Sequence, residues 1–84
     1  MVLPEINLNE IQYLDINLVQ TDAHFITGFN YLSSHYSQVL SGATAEKIGK
    51  VSKDGAIYYV IIFKTSHGYF EGIYSLKSDG SVEF

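Results

Sequence analysis

From residue 46 onward short runs rich in hydrophobic residues, the one over 56–65 nearly all apolar and β-branched or aromatic as a central strand is, are cut by Asp54-Gly55, His67-Gly68 and Asp79-Gly80. A period of two places successive side chains on opposite faces of a strand, and Asp-Gly between two such runs suits a tight type I′ turn with positive φ at both central positions. The pattern predicts strands over 46–53, 56–65 and 69–77 and a short return over 81–84, joined as an antiparallel meander. A two-residue turn at His67-Gly68 sets Lys64 opposite Glu71 and Phe63 opposite Gly72, an ion pair beside an aromatic ring over a glycine.

The first half follows another period. Ile26, Phe29, Leu32, Tyr36 and Val39 or Leu40 recur at three- and four-residue steps, with Thr21-Asp22 ahead of them as an N-cap and Ser41-Gly42 behind them as a stop. One long helix over 22–40 is predicted. Gly28 inside it costs on the order of 1 kcal/mol relative to alanine, which marks a place where the helix approaches the sheet closely. Residues 11–19 fit two readings: Ile11 with Tyr13 and Ile16 with Leu18 alternate as an irregular strand, whereas Leu8, Ile11, Leu14 and Leu18 share a helical face opened by an Asn7/Glu10 capping box. Ile, Tyr and Val favour the strand, and Asn17 disfavours a helix interior. Residues 1–10, with Pro4, read as an N-terminal arm; 11–84 read as a single α+β domain in the order β-α-β-β-β-β, one long helix on a curled antiparallel sheet.

In this register one sheet face carries Ile57, Tyr59, Ile61, Phe63, Phe70, Tyr74 and Leu76 and is expected to receive the helix. The other carries Tyr58, Val60, Ile62, Lys64, Tyr69, Glu71, Ile73, Ser75 and Lys77, apolar in the middle and charged at its ends. A lone helix covers one face only, so Tyr58, Val60, Ile62 and Ile73 are expected to lie open, unless the sheet curls or the N-terminal segment packs on them. Apolar patches with tyrosines and a polar rim are typical of interfaces. The expected binding residues are therefore Tyr58, Val60, Ile62, Tyr69 and Ile73, with Lys64, Glu71 and Lys77 as the rim.

Composition narrows the function. The chain has 84 residues, 46% of them hydrophobic and 14% aromatic, and no cysteine, so packing alone must hold a small domain together. Nine acidic residues against five lysines, with no arginine and a net charge of -4, argue against a phosphate backbone as partner; no nucleic acid is expected. No apolar run reaches the length of a membrane span and the start lacks a signal-like pattern, so a soluble, intracellular protein with no membrane partner is the expectation.

Candidate chemistry is sparse. His24 and His35 are eleven positions apart along one predicted helix, and no cysteine completes a zinc set, so no metal is assigned. Ser33-Ser34-His35 and Thr65-Ser66-His67 place hydroxyls beside imidazoles in sequence only, whereas a nucleophile and its base come from separate elements. No nucleophile elbow, phosphate loop, dinucleotide fingerprint or EF-hand loop is present, and neither catalytic residues nor a cofactor are assigned. The reading is a non-catalytic protein-binding module, an inhibitor or adaptor acting through an exposed sheet face on another protein or on itself as a homodimer. Its alternatives are a small enzyme or ligand-binding domain with an aromatic pocket and His67, Glu71 or Tyr74 near the mouth, and a homo-oligomeric assembly subunit.

The order of strand, long helix and antiparallel meander, with Phe29-Asn30 in the helix and Lys50-Val51 leading to Ile57-Tyr58-Tyr59-Val60, resembles the cystatin-like inhibitors. That resemblance implies a helix cradled by a curled sheet and a protease-inhibiting role. Where that family carries a Gln-x-Val-x-Gly loop this chain has Ser52-Lys53-Asp54-Gly55, and its second hairpin has no Pro-Trp. The spacing of Asp54-Gly55 to Tyr59 and of Asp79-Gly80 to Val82 is also similar to small PepSY-type modules, which implies restraint of a peptidase.

Overall fold

The computed structural model describes residues 7–83. Most of the expected arm, 1–6, and Phe84 of the last expected strand lie outside them. The chain runs through a 3-10 turn Leu8–Glu10, strand β1 (Gln12–Leu14), helices α1 (Leu18–Thr21), α2 (Ala23–His35) and α3 (Ser37–Leu40), and strands β2 (Thr44–Lys53), β3 (Ala56–Thr65), β4 (Gly68–Leu76) and β5 (Val82–Glu83). The strands form one antiparallel sheet in sequential order β1-β2-β3-β4-β5. The α+β class holds.

Residues 11–19 satisfy both of their readings in part. Gln12–Leu14 pairs with β2, while Leu18–Thr21 turns helically after the Asp15 side chain accepts the Asn17 N–H at 2.9 Å. Half of the Asn7/Glu10 box forms, the Asn7 N–H donating to Glu10 Oε2 at 3.4 Å while the Glu10 N–H donates to the Asn7 backbone carbonyl, and it opens only the 3-10 turn Leu8–Glu10. The single helix over 22–40 is corrected to two. Tyr36, at φ -110 and ψ 39, leaves the α-region between α2 and α3, and its half-buried ring packs 5.0 Å from that of Phe70. The bend turns Leu40 into the core and leaves Val39 half exposed.

The stripe that α2 buries is Phe25, Gly28 and Leu32: Leu32 lies on the expected line, while Phe25 and Gly28 take the place of Ile26 and Phe29, which with Tyr36 flank it. Gly28 explains the offset. A Cβ there would sit 1.9 Å from Tyr74 Cζ, so the helix and β4 touch along this line, and the Tyr74 hydroxyl donates to the His24 carbonyl at 2.9 Å. Phe25, Leu32, Leu40, Ile48, Ile61, Phe63 and Tyr74 form the main core beneath the helices. Full burial of each such side chain contributes roughly 1.5–3 kcal/mol before ordering entropy is subtracted.

The turns decide the registers. Asp54 and Gly55 both have positive φ, 53° and 79°, as a type I′ turn requires, and β2 pairs with β3 from Lys53↔Ala56 outward. The second hairpin closes on Ser66-His67 instead of His67-Gly68. The Thr65 hydroxyl accepts the His67 N–H at 3.1 Å and donates to the Gly68 carbonyl at 2.9 Å, locking the two-residue loop one position earlier than expected. The pairing is therefore two residues off the expectation: Lys64 faces Tyr69, Phe63 faces Phe70, and Ile62 faces Glu71. A shift of two preserves which face each side chain takes. Asp79-Gly80 belongs to a longer loop, in which the Gly80 N–H donates to the Lys77 carbonyl at 2.9 Å and the Asp79 carboxylate accepts from Ser81.

Candidate protein-binding face

The second face of the sheet is covered at one end and open at the other. The expectation that Tyr58, Val60, Ile62 and Ile73 lie open is overturned for the first three, which are 8%, 0% and 9% exposed, while Ile73 is half buried. Ile11, just ahead of β1, packs with Val60, Ile62 and Ile73 as a second, smaller core. Gly49 admits it: a Cβ at Gly49 would lie 2.5 Å from Ile11 Cγ2. Glu10 reaches Lys53 Nζ at 3.5 Å on the same side, so the segment before β1 lies across the end of the face nearest the Asp54-Gly55 turn.

The other end, toward Ser66-His67, keeps an accessible surface. Registers align Lys47, Ile62 and Glu71 in one row, and Thr44, Lys64 and Tyr69 in the next. A groove of about 390 Å³ is lined by Tyr13, Glu46, Lys47, Ile62, Tyr69 and Glu71. Tyr69 is 69% exposed and Tyr13 45%, unusual for rings of this size, and the Lys47 ammonium sits 5.4 Å from the centre of the Tyr13 ring. Glu46 stands at the bulge where the β2–β3 register shifts between Ala45 and Lys47.

Of the expected binding residues, Ile62, Tyr69 and Glu71 come together in this groove, with Lys64 exposed beside Tyr69. Tyr58 and Val60 belong to the interior, Ile73 is tied to the Ile11 cluster, and Lys77 lies at the far end of the sheet. The sequence reading missed Tyr13, Glu46 and Lys47. The signal for Lys47 was present, because the Asp54-Gly55 turn fixes Lys47 opposite Ile62 by counting outward from Lys53↔Ala56.

The aromatic-pocket residues do not converge. Tyr74 points into the main core, Glu71 lies on the opposite face and His67 occupies the turn. A different polar group gathers at the start of α2, where Asp22 Oδ1 accepts the His24 N–H and lies 2.9 Å from His24 Nδ1. The His24 side-chain bond, then its backbone bond, holds the Asp22 carboxyl below its ordinary 3.8. Burial raises the Tyr59 and Tyr74 hydroxyls above the usual phenol range, with smaller contributions from neighbouring charge. His24 stacks on Tyr59 at 5.4 Å and Tyr59 on Tyr74 at 5.6 Å. Asp22 caps α2, the Tyr74 hydroxyl anchors it at the His24 carbonyl, and the Tyr59 ring packs against its first turn. Among the described residues no three histidine or acidic side chains converge as a metal would need, and no helix is long and apolar enough to cross a membrane.

Comparison with protein-family models, with curated proteins and with solved structures yields no match, so the cystatin-like and PepSY resemblances rest on the residues alone.

Proposed function

We propose that this chain is a non-catalytic protein-binding module, an inhibitor or adaptor, that engages another protein through the open end of its second sheet face. Tyr69 carries the reading: a tyrosine 69% exposed stands beside the apolar floor of Ile62, with Lys47, Glu46 and Glu71 around it. An amphipathic ring over an apolar floor with a charged rim is the usual composition of an interaction hot spot. The occupant is a projecting element of a foreign protein. Ile11 stands over the sheet at Val60, so the face is stepped, and flat stacking of two copies is obstructed.

The test compares the wild-type chain with a Tyr69→Ala/Glu71→Lys variant in affinity capture from the native source, alongside solution mass. A partner retained by the wild type and lost by the variant supports the proposal. Equal capture by both overturns it, and a dimer of the wild type that the variant abolishes reassigns the face to a second copy.

A further inference from the structure

We infer that the opening between β3 and β4 at the Asp54-Gly55 end of the sheet is a slot for an extended peptide segment. The β3–β4 ladder stops at Tyr59↔Tyr74, although β3 extends back to Ala56 and β4 onward to Leu76. Alternation of bonded residues along each strand fixes where the free backbone points. The Asp54-Gly55 turn makes Lys53↔Ala56 the closing bonded pair, so Ala56 and Tyr58 bond to β2 and the peptide groups of Ile57 face β4. On the other side Ser75 pairs with Glu83 and the Lys77 N–H donates to the Ser81 carbonyl at 2.8 Å, which turns the peptide groups of Leu76 back toward β3. Ile57 and Leu76 thus direct backbone donors and acceptors at each other across a gap that the ladder does not close.

A groove of about 700 Å³ fills this gap. Its lining includes Tyr58 and Ser75 from the second face and Tyr59 and Leu76 from the helix face, so it opens through the plane of the sheet. Ile57 and Leu76 each offer one N–H and one C=O in the sheet plane, a set that two successive residues of an extended chain match, one toward each strand, by the chemistry of strand addition. Ile57, 51% exposed, offers an apolar shelf for one side chain of that peptide, and Lys77 and Glu83 supply a charge of each sign at the rim. The slot lies at the opposite end of the sheet from the Tyr69 groove and does not depend on it.

The experiment titrates the 15N-labelled full chain with millimolar acetyl-Thr-Val-Thr-Val-Thr-amide and, separately, with the same peptide N-methylated at alternate residues. The plain peptide is expected to shift the Ile57 and Leu76 amide signals and slow their hydrogen exchange about threefold or more, and the methylated peptide to do neither. Ile57→Pro removes the N–H that faces the slot without touching the β2 ladder, and should abolish the Leu76 response. If that variant does not fold, the methylated peptide alone decides. Unmoved Ile57 and Leu76 signals, or equal shifts with the methylated peptide, overturn the inference. A concentration-dependent dimer that protects the same two amides without peptide also overturns it, by placing a second copy in the slot.

Discussion

Gly28 is the position where a single atom would do most damage. Alanine there gains about 1 kcal/mol of helix propensity, yet its Cβ would fall within 2 Å of the buried Tyr74 ring, at 1.9 Å. Neither backbone nor ring has room to yield in a packed core, so the overpacking cost of about 1–3 kcal/mol wins. Urea denaturation should give Gly28→Ala a lower midpoint than wild type, and an unchanged or higher midpoint would mean that the helix does not rest on Tyr74. Asp22 acts at the same helix through charge. Its folded carboxyl titrates below its ordinary 3.8, so its stabilising contribution is complete above that value and is lost as pH falls through the lowered folded value. Asp22→Ala should cost about 1 kcal/mol at neutral pH through the lost cap. Asp22→Asn keeps a capping oxygen without the titration. Its stability should fall less than that of wild type between pH 7 and pH 3, and parallel losses would remove Asp22 from the acid response.

At the scale of elements, turns and side-chain hydrogen bonds account for what could be foreseen. The β2–β3 hairpin was legible because Asp54-Gly55 specifies its own geometry, and both φ values are positive as required. The β3–β4 register was not, because the loop is fixed by the Thr65 hydroxyl, which bonds to both His67 and Gly68, and no dipeptide preference reports that. The break at Tyr36 was hidden in an unbroken apolar period, since a ring packed on Phe70 can end a helix without glycine or proline. The cover on the second face was hidden for a similar reason: Ile11 reads as one more strand residue until Gly49 leaves space for it beside Val60. Ile11 therefore clamps a short edge strand to the second face. Ile11→Ala should cost about 2–5 kcal/mol by equilibrium unfolding, the range for truncating a buried aliphatic side chain to alanine. It should also speed exchange of the β1 amides more than those of β3. A loss below about 0.5 kcal/mol, the surface range, would show that β1 does not depend on this contact.

For the whole molecule the sheet has a core on each side, and β3 belongs to both, through Ile61 and Phe63 beneath the helices and Val60 and Ile62 on the second face. Two cores joined by one strand should melt together, as small domains usually do. The accessible part of the second face was only partly legible, because alternation assigns side chains to a face and cannot say which end another segment will cover. That separates two pairs of substitutions which a reading of alternation alone would treat alike. Tyr69→Ala/Glu71→Lys alters exposed side chains and should leave stability within about 0.5 kcal/mol of wild type. Tyr58→Ala/Ile62→Ser removes a buried ring and puts a hydroxyl among Ile11 and Val60, each change costing about 2–5 kcal/mol. A domain of this size has roughly 5–10 kcal/mol in all, so the second pair should leave the chain largely unfolded. Far-UV circular dichroism and tyrosine fluorescence should follow one shared transition in wild type and in the Tyr69 variant, and should both be lost in the Tyr58 variant. A Tyr58→Ala/Ile62→Ser chain that keeps the wild-type midpoint would mean that the second face is not a core, and would return those residues to the binding surface.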